Sequence, residues 1–123
     1  MLRDFGLDEL SNIRGIKLSG GERRRTEIAR SVASNPEFIL LDEPFAGIDP
    51  IAVSDLKSII LSLNEKGIGV LISEHNVRDT MNICTKVLIV SECKIIANGE
   101  PSEIANDKLV KEVYLGQDFE TKL

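Results

Sequence analysis

Two short stretches carry residues that could do chemistry. Leu18-Ser19-Gly20-Gly21-Glu22 is a glycine-rich turn feeding a helix. Phe38-Ile39-Leu40-Leu41-Asp42-Glu43-Pro44 is an apolar run ending in two carboxylates. A helix start of the first kind offers backbone N–H groups and the positive end of the helix dipole to an anion. A strand tipped by Asp42 and Glu43 offers a metal ligand and a base at a sheet edge. Together they suit a nucleotide phosphate and its magnesium ion.

Each feature also has a local reading. Ser19 and Glu22 fit a capping box, in which each side chain satisfies the other's backbone N–H. Two glycines in the first turn argue for more, since each costs up to about 1 kcal/mol against Ala in a helix interior. That cost makes sense if something approaches the backbone closely. Asp42 and Glu43 could merely cap or pair, although carboxylates buried without partners are costly. Asp49 and Pro50 explain each other as N-cap and first helical residue. His75 is the single histidine of the chain. A lone histidine is more often structural, but this one follows an apolar run, at the strand end where open parallel sheets place ligands. Arg23, Arg24, Arg25 and Arg30 read as a solvated or carboxylate-paired face, with phosphate or subunit contact as the alternative.

The elements that must position these residues alternate between strand and helix. Ser19 begins a helix with Ile28, Ala29, Val32 and Ala33 as its buried stripe, and Asn35-Pro36 stops it. Phe38 to Leu41 is the continuous run of a central parallel strand buried on both faces. Ala52, Val53, Leu56, Ile59, Ile60 and Leu63 recur at helical spacing, with Gly67 as the stop. Ile68 to Ser73 is a second buried strand, and Asn76 caps a helix through Val77, Met81 and Ile83. Lys86 to Val90 and Lys94 to Ala97 form two strands around Ser91-Glu92-Cys93. Asn98-Gly99 makes the next turn, and Pro101-Ser102-Glu103 starts a helix. An amphipathic tail through Val110, Val113, Tyr114 and Leu115 suits packing or dimer support, and residues 120–123 should fray. Near the start, Asp8-Glu9-Leu10 and Asn12 to Gly15 suggest a helix end and a connecting loop.

The 123 residues and 42% apolar content suit one modest domain. No run is long and uncharged enough for a membrane helix, and Arg3, Asp4, Asp8 and Glu9 interrupt any leader-like segment. A net charge of -5 argues against nucleic acid as partner. Cys84 and Cys93 lack metal-ligand spacing and read as reduced thiols, with a disulfide or redox role as the lesser reading.

The motifs together resemble those of ATP-binding-cassette (ABC) ATPases. Leu18 to Glu22 resembles the signature motif, Phe38 to Pro44 the Walker B strand with its catalytic glutamate, and Gly47-Ile48-Asp49-Pro50 the D-loop. His75 stands at the switch-histidine position. Ser19 to Arg30, Phe38 to Ile51, His75 to Thr80 and Val113 to Phe119 are most similar to ATPases of lipopolysaccharide export. The resemblance implies an α/β fold, the C-terminal part of a P-loop NTPase (RecA-like) domain. That fold has a mostly parallel sheet flanked by helices and a short antiparallel hairpin near the C-terminus. Residues 1–17 would end a helical subdomain, and residues 18–123 would form the C-terminal part of the nucleotide-binding domain with its helical tail.

The same resemblance implies ATP and Mg²⁺ as cofactors and assigns roles. Asp42 would hold Mg²⁺ through water, Glu43 would deprotonate the attacking water, and His75 would contact the γ-phosphate. Ser19, Gly20, Gly21 and Glu22 would close the nucleotide of the opposite protomer, and Asp49 would couple the two sites. The partners implied are a second copy of the ATPase subunit and integral membrane transporter subunits, with no nucleic acid, at the cytoplasmic face of the inner membrane. The family usually has Gly where Cys93 stands. A branched-chain amino-acid importer ATPase and a non-catalytic truncated remnant are the alternatives; a DNA-repair or chromosome ATPase fits less well, since no heptad arms are present.

No G-x-x-x-x-G-K-[ST] occurs in the chain. That loop supplies the backbone cradle and lysine for the β- and γ-phosphates. The expectation is a C-terminal half of such an ATPase, inactive alone and weak in binding ATP. Strands missing from the sheet should leave apolar side chains exposed near 38–41 or 68–72.

Overall fold

A computed structural model of the chain describes residues 1–115, apart from the side chains of Arg78, Tyr114 and Leu115. The far end of the expected amphipathic tail and the expected fraying at 120–123 lie outside the described residues. The chain forms two compact units, Met1–His75 and the residues from Asn76 onward.

The first unit opens with three short turns of 3-10 helix, Leu2–Phe5, Asp8–Leu10 and Gly15–Lys17. Where the sequence suggests a helix end, Asp8–Leu10 forms a single turn of 3-10 helix. Gly6, at φ 61, closes the first turn through its N–H, and Phe5 and Leu7 are buried.

Helix α1 (Gly20–Val32) starts at Ser19 and buries Gly21, Ile28 and Ala29. Strand β1 (Phe38–Asp42) pairs in parallel with β2 (Gly69–Ser73), in a register that runs from Phe38 opposite Gly69 to Asp42 opposite Ser73. Helix α2 (Pro50–Glu65) connects them and buries Leu56, Ile59, Ile60 and Leu63. Each such side chain contributes about 1.5–3 kcal/mol when fully buried. Gly67, at φ 84, reverses the chain into β2, as its position after the last helical repeat indicated.

The strand pair departs from the expectation of burial on both faces. Ile39 is buried and Leu41 half-buried, but Phe38 and Leu40 on the opposite face are 59% and 71% exposed, and Leu71 of β2 is 52% exposed. Side chains alternate along a strand; no layer of described residues covers the second face. The apolar surface expected to be exposed near 38–41 or 68–72 lies on that face.

The second unit begins with the short helix α3 (Val77–Met81), capped by Asn76, whose side chain accepts from Asp79 N–H. Strands β3 (Val87–Ser91) and β4 (Lys94–Gly99) pair antiparallel with a bulge after Ile89. Glu92 and Cys93 join them with φ 49 and 60; positive φ at both central residues is the geometry of the type I′ hairpin turn. Asn98 and Gly99, expected to turn, instead complete β4, because the ladder continues until Gly99 faces Val87. Helices α4 (Pro101–Asn106) and α5 (Lys108–Val110) follow, then a π-helical turn Lys111–Leu115. Met81, Ile89, Ile104, Ala105 and Val110 form the core of this unit. The α/β class holds, with one parallel pair and one antiparallel hairpin among the described residues.

Candidate functional site

The parallel register sets the tips of β1 and β2 side by side. The Ser73 hydroxyl donates to Asp42 Oδ1, and Glu43 N–H donates to the Ser73 carbonyl at 2.9 Å. One residue further, Glu43 Oε1 lies 3.4 Å from His75 Nδ1, both side chains largely exposed. Asp42, Glu43 and His75 are thereby gathered at one end of the sheet.

Glu43 adopts φ 44, a left-handed conformation that costs an L-residue with a Cβ about 1–2 kcal/mol. Such strain persists where the surroundings over-determine it. Pro44 and Phe45, directly after Glu43, are buried, and Ala46 N–H returns to the Glu43 carbonyl at 3.2 Å. Phe45 N–H donates to Glu74 Oε1 at 2.9 Å. From α1, Arg24 Nη2 reaches the Glu43 carbonyl at 3.5 Å while its Nη1 pairs with Glu27 at 3.0 Å.

A second group forms where α1 meets α2. Ser19 N–H donates to Glu22 Oε2 at 2.7 Å and Glu22 N–H to Ser19 Oγ at 3.3 Å, completing the capping box. The Ser19 backbone N–H, then its hydroxyl, hold the Glu22 carboxyl below the usual glutamate range. Asp49 caps α2 by accepting Ala52 N–H at 2.9 Å. The close approach expected at the glycines is met differently at each. A methyl on Gly21 would stand 2.6 Å from Ala52 Cβ, so α2 is what approaches there, and Gly21 is required by helix packing. A methyl on Gly20 would meet Ile48 Cγ2 at only 3.4 Å, an ordinary contact, and Gly20 remains exposed.

The arginine face is carboxylate-paired in part, through Arg24 with Glu27 and Arg25 with Asp55 at 3.2 Å, while Arg23 and Arg30 are exposed. Two contributors were not singled out from sequence, Ser73 and Glu74; Arg24, read there as part of a charged face, also reaches the Glu43 carbonyl. The signal for Ser73 and Glu74 is their place at the end of the apolar run from Ile68, beside His75.

Among the described residues no group of three or more His, Cys, Asp or Glu side chains is placed to hold a metal ion. Magnesium commonly takes one or two carboxylates, with phosphate oxygens and waters completing its shell. Exposed Asp42, steadied by Ser73, fits the role of that single protein carboxylate.

The sequence family described as "ABC transporter" matches residues 1–46, and the family described as "Branched-chain amino acid ATP-binding cassette transporter" matches residues 94–120. The lipopolysaccharide export system ATP-binding protein LptB of Haemophilus influenzae is 55% identical over 119 residues, covering 97% of this chain and 49% of the relative. LptB of Escherichia coli K12 is 56% identical over the same shares. The chain thus spans about half the length of the curated relatives it matches. Among solved structures, the ADP conformation of MJ1267, an ATP-binding cassette of an ABC transporter, superposes with a TM-score of 0.85 at 33% identity, over 94% of this chain and 47% of that one. CbiO1 of Clostridium perfringens, part of the ABC transporter complex cbiONQ, gives 0.80 at 29% identity over the same shares.

Proposed function

This chain belongs to the ATP-binding domain of the ABC transporter family, and on that premise we propose that it is part of the ATP-hydrolysing subunit of a lipopolysaccharide-export transporter. The observation that best supports a hydrolytic role is the approach of Glu43 Oε1 to His75 Nδ1, 3.4 Å apart at the tips of two paired strands. In this reading Glu43 accepts the proton of the attacking water as general base. His75 orients the Glu43 carboxylate and faces the γ-phosphate. Asp42 holds the magnesium ion, whose chemistry is to neutralise charge on the phosphates.

Ser19 and Gly20 serve the nucleotide of a second copy, Ser19 through its hydroxyl and Gly20 through its N–H at the start of α1 and the dipole of that helix. Gly21 and Glu22 shape that turn, the first by admitting α2 and the second by closing the capping box. Asp49, held in the loop beside Gly20, links this surface to α2. The reading requires a homodimer with two shared ATP sites. No helix among the described residues is long and apolar enough to cross a membrane; the reading assigns the passage of lipid to separate integral subunits, with this chain on the cytoplasmic face of the inner membrane.

A second reading is the ATPase of a branched-chain amino-acid importer, which the match over residues 94–120 favours. The 55% identity to LptB over nearly the whole chain weighs more. A non-catalytic remnant is the third.

The test is a chimera in which the N-terminal half of Haemophilus influenzae LptB precedes this chain. Magnesium-dependent phosphate release is expected from the chimera, falling by about 10²–10⁴-fold in Glu43→Gln, the usual range for loss of a general base. The chain alone should release none. A folded but inactive chimera overturns the hydrolytic reading and leaves the remnant. Rescue of Escherichia coli depleted of LptB supports export; an active chimera that fails to rescue favours the importer.

A further inference from the structure

We propose that Glu74 is a positioning residue, holding Glu43 in its left-handed conformation by accepting the N–H of Phe45. The inference rests on the hydrolytic role of Glu43 proposed above. Glu43 at φ 44 is the strained residue of the strand tip, and it is held from both sides. Its own N–H is fixed by the Ser73 carbonyl at 2.9 Å. Two residues on, Phe45 N–H is fixed by Glu74 Oε1 at 2.9 Å, in a partly buried bond that spans 29 positions of sequence.

Glu74 stands between Ser73, which holds Asp42, and His75, which faces Glu43. Ser73 at the end of β2 and the two residues after it therefore grip the segment Asp42–Phe45, and Glu74 supplies the only carboxylate among the three. An ionised acceptor forms a shorter and stronger bond to a backbone N–H than a neutral one. The Glu74 carboxylate bonds to backbone, while Glu43 and Asp42 present exposed side chains. Release of Phe45 would free the turn to relax toward an unstrained φ and swing the Glu43 carboxylate away from His75.

The first measurement uses the unmodified chain. A through-hydrogen-bond coupling between Phe45 ¹⁵N and Glu74 ¹³Cδ is expected, with the Phe45 amide protected from exchange. Absence of both overturns the proposal. In Glu74→Ala, Phe45 exchange should quicken by about tenfold or more as the turn opens locally, and the imidazole resonance of His75 should move toward its position in Glu43→Gln. Glu74→Gln, which keeps an acceptor oxygen, should restore both. An unchanged His75 resonance in a folded Glu74→Ala chain overturns the proposal.

The catalytic consequence is read in the chimera. Glu74→Ala should lower kcat by about tenfold to a hundredfold, the scale of a misplaced catalytic group, with KM for ATP changed by no more than about twofold. Glu74→Gln should recover most of the loss. Unchanged kcat together with a freed Phe45 amide sinks the positioning role while hydrolysis stands. A chimera inactive even with Glu74 intact sinks the hydrolytic reading, and the coupling and exchange results then decide the Glu74–Phe45 clamp by themselves.

Discussion

Gly21 packs against Ala52 with no room for a side chain: a methyl on Gly21 would lie 2.6 Å from Ala52 Cβ. Both atoms belong to packed helices, so relief requires α1 and α2 to separate. Gly21→Ala should destabilise the chain by about 1–3 kcal/mol, as overpacking does. Gly20→Ala, one residue earlier and meeting only ordinary contacts, should leave stability unchanged or raise it by up to about 1 kcal/mol. Urea unfolding of the two variants checks the contrast, and equal effects would remove the packing explanation.

Glu43 combines a strained backbone with an exposed carboxylate. Glu43→Gly frees the φ 44 position of its steric cost, while the lost contact with exposed His75 is worth little. The variant should be more stable than the parent by about 1 kcal/mol. The same change should abolish turnover in the chimera. Gain of stability with loss of activity is what a residue kept for chemistry predicts; a less stable variant would show that the Glu43 side chain is needed for folding.

Cys93 poses the same steric problem without a proposed chemical role. At φ 60 in the hairpin turn, it holds a conformation that Gly adopts without steric cost. Cys93→Gly should raise the midpoint of thermal unfolding, by a stabilisation of about 1 kcal/mol. Cys84, half-buried with its thiol pKa pushed up by burial, should react slowly with an alkylating reagent. Cys93 is exposed and should account for the fast phase, which Cys93→Gly removes.

The capping box gives a pH signature. Glu22 has its folded-state pKa lowered by the Ser19 N–H and hydroxyl, so the unfolded chain binds the proton more readily. Its contribution is therefore complete above the unfolded value of about 4.3 and is lost as pH falls through the lower folded value. Glu22→Ala should be less stable than the parent at neutral pH. The difference should shrink on acidification below about pH 4. A difference that stays constant down to acid pH would show that the carboxylate charge is not involved.

Much of this was legible because local rules and tertiary structure agree. Ser19 with Glu22, Asp49 with Pro50 and Gly67 mark helix ends by side-chain chemistry alone, and the structure places them as read. Asp42, Glu43 and His75 were legible as strand-tip residues, since each follows an apolar run. The hidden parts depend on neighbours distant in sequence. Gly21 looked like a residue cleared for a ligand because nothing local reveals Ala52, 31 positions away. Asn98-Gly99 carries a turn signature, yet the ladder with Val87 overrides it. Glu74 was illegible because its partner is a backbone N–H, which has no letter in the sequence.

The exposed face of the β1–β2 pair separates surface from core most sharply. Leu40 and Leu71 are opposite one another in the register and are 71% and 52% exposed, whereas Leu56 is 1% exposed. A leucine that gains little burial on folding loses little when replaced, but it still offers apolar surface to other molecules. The pair Leu40→Ser and Leu71→Ser should therefore reduce hydrophobic dye binding and self-association in sedimentation, with unfolding free energy changed by no more than about 1 kcal/mol. Leu56→Ala should cost about 2–5 kcal/mol. If the serine pair unfolded the chain as Leu56→Ala does, Leu40 and Leu71 would have to be core residues, and the face of Phe38, Leu40 and Leu71 would be covered in solution.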